Sequence, residues 1–227
     1  MVETSSTVMG MLSTPWFWTS LWQGLQLTLV ISLATVALSF VFGTIVGVAR
    51  FSKVPGLSQV ATVYVELIRN IPLVLVILAM FLVFQLRDIT AAITGLTIFT
   101  TAIIAEIVRG GLNSISRGQW EAARSQGMNY IQILRHIVLP QAVVKMIPPI
   151  VSQFVTIIKD SSFAMYIGVF ELVRRSDVLR SLFTNVNQTL AIYAIVALTY
   201  FIVNFILSSY ARYLQKKLSA GRGAIGS

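Results

Sequence analysis

Long apolar runs separated by short polar connections make up most of the chain. The runs predict membrane-spanning helices, because about 20 apolar residues at about 1.5 Å per residue cross a bilayer core. Five spans are predicted, at residues 25–48, within 57–86, at 91–108, at 141–158 and at 190–210. The long runs lack the period-two alternation of a membrane barrel, so the predicted fold class is an all-α integral membrane protein.

Several of these segments carry helix-breaking or polar residues. Pro72 is predicted to bend the second span or to mark its start, because proline removes a helical hydrogen bond. Gly110 and Gly111 are predicted to end the third span. The fourth span contains residues that suit a kinked, pore-facing helix, namely Lys145, Pro148, Pro149 and Gln153.

Two further segments lie between the fourth and the last span. Residues 163–173 are apolar but too short to cross a bilayer, so they are predicted to form a short helix or a re-entrant segment. Residues 174–187 are predicted to be a polar connection.

The composition supports membrane insertion. Hydrophobic residues make up 56% of the chain and charged residues 11%, whereas about a quarter of a soluble domain is charged. The absence of cysteine excludes disulfides and thiolate metal sites, and the single histidine, His136, excludes a histidine-rich metal cluster. We therefore predict no metal site.

The N-terminal residues 1–24 contain an aromatic cluster of the kind found at a membrane–water interface, formed by Trp16, Phe17, Trp18 and Trp22. This stretch has no lysine or arginine. We expect no cleavable signal peptide and expect the first span to remain as the insertion signal.

Positive residues concentrate on one side of the five predicted spans. That side holds Arg50, Lys53, Arg109, Arg117, Arg124, Arg135, Arg212, Lys216, Lys217 and Arg222, and the other side holds Arg87, Arg174, Arg175 and Arg180. The positive-inside rule then places the N-terminus outside and the C-terminus in the cytoplasm. It also explains the net charge of +9 without a nucleic-acid partner.

These features divide the chain into three parts. Residues 1–24 form an extracytoplasmic or interfacial segment, residues 25–210 a transmembrane domain in contact with lipid, and residues 211–227 a basic cytoplasmic tail. Within the transmembrane domain, residues 112–140 form a polar cytoplasmic loop. Polar and apolar residues recur at helical spacing from residue 121 onward, which predicts an amphipathic helix with a bend or helix–turn–helix near Gly127.

This loop resembles the EAA loop of the permease subunits of ABC importers. The positions that match the family pattern are Glu121, Ala122, Ala123, Gly127, Ile137, Leu139 and Pro140. The resemblance implies a type I importer permease with five transmembrane helices, located in the bacterial inner membrane. It also implies that the loop docks on a separate dimer of ABC ATPase subunits.

Other stretches resemble the polar amino-acid branch of that family. They are the segments 66–73, 105–119, 159–162 and 167–169. Within the first two, residues 69–72 and 114–119 look closest to glutamate and aspartate permeases. The resemblance implies a second permease subunit, identical or a sister chain, and an extracytoplasmic amino-acid-binding protein.

No phosphate-binding loop of the Gly-x-x-x-x-Gly-Lys-Ser/Thr type is present in the sequence. ATP and Mg²⁺ are therefore expected on the partner ATPase, with no cofactor on this chain. No set of nucleophile, base and acid points to catalysis, and no catalytic residue is predicted. The predicted function is a permease subunit of an ATP-driven importer of polar amino acids, with glutamate and aspartate as the expected substrates.

Four ionisable residues are candidates for the substrate path: Glu66, Arg69, Lys159 and Asp160. An amino acid carries both charges, and ionisable residues at membrane depth are functional candidates by default. Glu66 and Arg69 are three residues apart and could pair with each other. The alternative role for all four is in structural salt bridges or loop anchors.

Two other functions are compatible with the residues alone. An ion-gradient-driven secondary transporter or channel subunit is supported by the repeated Glu-x-x-Arg spacing and by the proline-containing fourth span. No internal repeat of the kind common in such transporters is evident. A non-transporting membrane scaffold is the other alternative.

Overall fold

The computed structural model describes the backbone of residues 7–52, 54–183 and 185–223, and the side chains as far as residue 213. Every regular element in this part of the chain is helical, which agrees with the predicted fold class. Lys53 and the side chains of Lys216, Lys217 and Arg222, which were used to predict sidedness, lie outside the described residues.

Ten α-helices follow one another along the described chain. They are α1 (Val8–Leu12), α2 (Pro15–Phe51), α3 (Leu57–Arg69), α4 (Leu73–Leu82), α5 (Asp88–Asn113), α6 (Arg117–Ser125), α7 (Tyr130–Ile133), α8 (Leu139–Asp160), α9 (Leu172–Leu182) and α10 (Val186–Gly223). A π-helical turn, Leu134–Val138, joins α7 to α8, and a 3₁₀ helix, Ser161–Ile167, follows α8.

Four helical segments are long and apolar enough to cross a membrane. They are Pro15–Phe51, Asp88–Asn113, Tyr130–Ile167 and Val186–Tyr213, and the helices α3 and α4 make a fifth if they count as one broken span. Pro72 caps the start of α4, as the sequence predicted. Proline fixes its own φ and lacks an N–H, so it suits this position.

Two boundaries differ from the predictions. Helix α2 begins at Pro15 rather than at residue 25, because proline is accommodated in a first helical turn and the aromatic residues after it continue the helix. Helix α5 continues through Gly110 and Gly111 to Asn113, so the prediction that this pair ends the helix was wrong. A Cβ on Gly111 would lie 2.3 Å from Cγ of Met146, so this glycine permits close approach to α8.

The region after the fourth span is also more helical than predicted. Helix α9 covers residues 172–182 behind the N-cap of Glu171, although residues 174–182 were predicted to belong to a polar connection. Helix α10 continues to Gly223 rather than ending near residue 210. The predicted short helix within 163–173 is present only in part, as the 3₁₀ helix that ends at Ile167.

The chain forms two compact units, each made of three separate stretches. The first unit comprises Met1–Ala37, Pro72–Thr97 and Val155–Ile206. Its core joins the start of α2 to α9 and α10, and its largest buried side chains are Phe17 and Phe183. Gly24 allows this approach, because its Cβ would lie 2.9 Å from the Cα of Leu172.

The second unit comprises Leu38–Ile71, Ile98–Phe154 and Leu207–Ser227. Its main core joins the end of α5 to α6, α7 and the start of α8, and includes Ile104, Ala123 and Ile133. In this unit Gly43 lies against Ile104 and Gly47 against Val108. The contacts advance in the same direction along both helices, so α2 and α5 run parallel here.

Candidate coupling site and neighbouring ion cluster

Two short helices, α6 and α7, form a hairpin. The residues that match the EAA pattern lie on α6, in the turn between α6 and α7, in the π-helical turn and at the start of α8. Helix α6 ends at Ser125, and Gly127 follows with φ of +79°. A Cβ at Gly127 would meet nothing within 4 Å, so the backbone conformation, and not the available space, requires glycine. The predicted helix–turn–helix near Gly127 is confirmed.

A capping box starts α7 on the far side of the turn. The N–H of Gln132 donates to Oδ1 of Asn129 at 2.9 Å, and the N–H of Asn129 donates to Oε1 of Gln132 at 2.8 Å. These two bonds satisfy backbone donors that a helix start would otherwise leave free. Polar residues that interrupted the apolar pattern therefore determine where the second helix of the hairpin begins.

The motif residues divide into a buried and an exposed set. Ala123 is buried in the core of the second unit, and Ile137 packs partly buried against the same core. The exposed set is Glu121, Ala122, Gly127, Leu139 and Pro140. The buried residues hold the hairpin to the protein, while the exposed residues lie at its surface.

A pocket of about 500 Å³ opens beside the hairpin. It is lined by Phe51, Leu112, Asn113, Ile115, Arg117, Trp120, Glu121, Arg124 and Tyr130. Trp120 of α6 stacks on Tyr130 of α7, with ring centroids 5.6 Å apart and ring planes 28° apart. The aromatic stack bridges the two helices, and the charged residues give the pocket a mixed polar and apolar wall.

An ion cluster in the same unit connects α2, α3 and α5. Arg50 at the end of α2 donates to Oε1 of Glu66 in α3 at 2.7 Å and also to Glu106 in α5. Glu106 accepts a second bond from Nε of Arg109 at 3.2 Å, and Arg69 lies 3.8 Å from it. Only 10% of the Arg50 side chain is exposed, so its charge is compensated by these carboxylates and little by water.

The cluster changes the interpretation of two candidate path residues. Their spacing would have allowed Glu66 and Arg69 to pair with each other, but each pairs instead with a residue of another helix, Glu66 with Arg50 and Arg69 with Glu106. Glu106 and Arg109, which have the same Glu-x-x-Arg spacing, do pair with each other. These contacts match the structural alternative considered for Glu66 and Arg69.

The other two candidates, Lys159 and Asp160, belong to the first unit. They are the last residues of α8, where Lys159 is exposed and Asp160 is half-buried. The hydroxyls of Ser161 and Ser162 donate to the carbonyls of Ile158 and Lys159, at 2.8 Å and 2.7 Å. Residues 159–162 thus form the junction between α8 and the 3₁₀ helix.

Glu171 was not singled out from the sequence, although it is a fully buried carboxylate. It accepts bonds from the N–H groups of Val173 at 2.9 Å and Arg174 at 2.8 Å, and so caps α9. Burial raises the pKa of the Glu171 carboxyl, and the two backbone bonds oppose that shift. Its position immediately before an apolar and basic stretch was the available signal for an N-cap.

Comparisons with known proteins agree with this arrangement. Residues 39–220 match the family described as the binding-protein-dependent transport system inner membrane component. The probable glutamine ABC transporter permease protein GlnP of Bacillus subtilis is 45% identical over 200 residues, which are 86% of this chain and 92% of the relative. The glutamate transport system permease protein GluD of Corynebacterium glutamicum is 35% identical over 207 residues, which are 88% of this chain and 75% of the relative.

The fold also matches solved structures of ABC transporters. The crystal structure of an amino acid ABC transporter with histidines matches with a TM-score of 0.84 and 26% identity, covering 93% of this chain and 98% of that one. An inward-facing methionine ABC transporter matches with a TM-score of 0.75 and 22% identity, covering 91% and 99% of the two chains, and supports the fold alone.

Fold and site together define a multi-pass helical membrane protein of the inner membrane, with a short helical hairpin between two of its long helices. The family model covers most of the sequence, and the chain belongs to the family of inner membrane components of binding-protein-dependent transport systems. The resemblance to permeases of polar amino-acid ABC importers is thereby confirmed. The family assignment favours this class over an ion-coupled transporter or a scaffold.

Proposed function

We propose that this chain is the permease subunit of an ATP-driven importer of polar amino acids. The observation that carries the proposal is the α6–α7 hairpin, whose second helix begins with a capping box and which leaves Glu121, Ala122 and Gly127 exposed. An exposed and internally braced hairpin suits a lever whose partner contacts differ between two states.

The hairpin is proposed to dock on the ATPase partner. Hydrolysis of ATP, with its Mg²⁺, takes place on that partner, since this chain contains no phosphate-binding loop. The pocket bounded by Trp120, Arg124 and Tyr130 would receive part of the ATPase surface. A second permease subunit, identical or a sister chain, and an extracytoplasmic binding protein complete the proposed transporter.

The proposed substrates are polar amino acids of the glutamate and glutamine group. The sequence favoured glutamate and aspartate, and the relatives quoted above are named for glutamine and for glutamate. Radiolabelled glutamine, glutamate and aspartate, each offered with and without an excess of the other two, would separate these substrates in an uptake assay.

The parallel course of α2 and α5 supports five spans. Two successive spans that run in the same direction require one crossing between them, and only the broken pair α3 and α4 is available for it. With five spans, the charge distribution supports a hairpin and a C-terminus in the cytoplasm and an N-terminus outside.

The contacts of the four candidate path residues favour different roles. Glu66 and Arg69 are proposed to tie α3 to its neighbours rather than to bind substrate, because their partners are already present within the protein. Lys159 and Asp160 remain the proposed path residues, because Lys159 is exposed and the pair brings both charges to the end of one helix.

Affinity purification of the wild type and of Gly127→Asp from the native host in mild detergent tests the coupling role. We expect an ATPase with a phosphate-binding loop to accompany the wild type and to be lost from the variant, because aspartate adds charge at the turn. Mass spectrometry identifies the co-purified chains, and unchanged membrane insertion of the variant is the control. A folded wild type that brings no ATPase under several conditions would contradict the proposal.

A further inference from the structure

The first turn of α8 contacts the hairpin through a residue outside the family motif. Nε2 of Gln141 donates to Oε1 of Gln119 in α6 at 2.5 Å and to the carbonyl oxygen of Ile137 at 2.9 Å. An amide NH₂ group has two protons, so both bonds can form at the same time. A single side chain of α8 therefore joins α6 to the π-helical turn that follows α7.

A second contact lies one turn further along α8. Nζ of Lys145 donates to the carbonyl oxygen of Ser114 at 2.9 Å, just beyond the end of α5. A positive charge is favourable there, because the carbonyls at a helix C-terminus carry partial negative charge. The side chain of the next residue, Met146, packs over Gly111 of α5. The start of α8 therefore contacts the end of α5, at Gly111 and just beyond it at Ser114, and the start of α6, at Gln119.

Packing alone holds α6 weakly. Ala123 is the one residue of this nine-residue helix that is buried. Besides Ala123, the partly buried Trp120 contributes to the packing of α6, and its ring stacks on Tyr130 of α7. The bond from Gln141 to Gln119 is directional and joins α6 to the start of the fourth long helix.

We propose that the bond between Gln119 and Gln141 is a positioning contact that transmits the movement of α6 to α8 during transport. The proposal rests on the proposed function, in which the hairpin meets the ATPase. Gln141 acts through Gln119 and is proposed to contact neither nucleotide nor amino acid. Because α7 already continues through the π-helical turn into α8, loss of this bond weakens the transmission from α6, so less amino acid is taken up per ATP hydrolysed.

The test uses the complete transporter, with permease, ATPase and binding protein, reconstituted in lipid vesicles. Uptake of radiolabelled glutamine and glutamate is measured together with ATP hydrolysis for wild type, Gln119→Ala, Gln141→Ala and the double variant. We expect uptake per ATP to fall several-fold in each single variant and no further in the double variant, because both changes remove the same bond. The amount of bound ATPase should stay at the wild-type level.

A charge pair at the same two positions should restore the coupling of uptake to ATP hydrolysis. In Gln119→Glu/Gln141→Lys an ion pair replaces the amide bond, and we expect this variant to recover uptake per ATP relative to either alanine variant. Gln59→Ala is the matched control, since Gln59 is an exposed glutamine of α3 in the same unit. Its uptake per ATP should equal that of wild type.

Three results would overturn the inference. They are an unchanged ratio of uptake to hydrolysis in the alanine variants, loss of the ATPase from those variants, and an absence of rescue by the charge pair. The proposed function fails in a different way, by uptake in the wild type that does not depend on ATP. The two proposals can therefore be rejected separately.

Discussion

One added methyl group would be enough to push α2 and α5 apart. A Cβ at Gly47 would lie 2.7 Å from the carbonyl oxygen of Ala105 and 2.7 Å from Cβ of Val108. Neither atom can rotate away, because one belongs to the helix backbone and the other is held at the branch point of a stiff side chain. The glycine is thus required by the distance between the two helices.

Gly47→Ala should therefore destabilise the protein by about 1–3 kcal/mol, the range for overpacking a close contact. The measurement is thermal unfolding of the purified protein in detergent. Gly110→Ala is the control, because its Cβ would meet nothing within 4 Å and Gly110 lies within the regular helix α5. Equal melting temperatures for the two variants would show that the close approach of α2 and α5 does not contribute to stability.

Gly127 gives a prediction of a different kind, since the requirement there is conformational. Asparagine adopts a positive φ more readily than a β-branched residue does. We expect Gly127→Asn to retain most of the uptake and Gly127→Val to lose most of it, while both insert in the membrane. Comparable uptake by the two variants, measured per amount of inserted protein, would mean that the left-handed turn is not needed.

At the scale of the helices, the ion cluster is the main polar tie in the second unit. Glu106 accepts hydrogen bonds from Arg50 and Arg109, and its side chain is three-quarters buried. Arg117 and Glu121 also pair, at 3.0 Å, but their side chains are 92% and 63% exposed. Exposed pairs contribute little, because water already solvates both charges.

Glu106→Gln should destabilise the protein by about 1–3 kcal/mol, below the range for fully buried pairs because water reaches part of the cluster. Glu121→Gln should change stability by about 0.5 kcal/mol or less. Thermal unfolding in detergent compares the two, and the salt concentration is varied as a check. A larger effect at Glu121 than at Glu106 would contradict this ranking.

Glu171 is the buried N-cap of α9, and its titration should make the stability of the folded protein depend on pH. Burial raises the pKa of Glu171 in the folded protein above its value in the unfolded chain. The folded state therefore binds the proton more tightly, and its stability rises as the pH falls through the raised pKa, until the pKa of the unfolded chain is passed.

Glu171→Gln removes this titration. We expect the stability of wild type relative to Glu171→Gln to increase on going from neutral to mildly acidic pH. Thermal unfolding of both proteins at a series of pH values measures the difference and cancels the other titrating groups. A constant difference across the series would refute the assigned role of burial.

At the scale of the whole molecule, the proposed sidedness can be tested with single cysteines, because the natural sequence has none. Glu121→Cys places a thiol on the hairpin, and Val178→Cys places one on an exposed position of α9. A membrane-impermeant maleimide should label residue 178 in intact cells and residue 121 only in inverted vesicles. Labelling of both positions from the same side would contradict five spans.

The sequence was sufficient to predict the long apolar helices and the hairpin, because the helices follow from local pattern and the hairpin from a spaced motif. Helix ends were harder to predict. Gly111 looked like a helix stop, but its role is set by Met146, 35 residues away in sequence. The partners of Arg50 and Arg69 could not be predicted either, since residue spacing identifies neighbours on one helix and not the residues of another helix that approach it.

The two adjacent alanines of the hairpin face opposite ways, and this has a consequence for how the sequence can change over time. Ala123 is buried in the permease itself, so its permitted replacements are decided by this chain alone. Ala122 is exposed, so its permitted replacements are decided by the proposed partner. When a permease exchanges one ATPase for another, position 122 is expected to vary together with the new ATPase, while position 123 stays small.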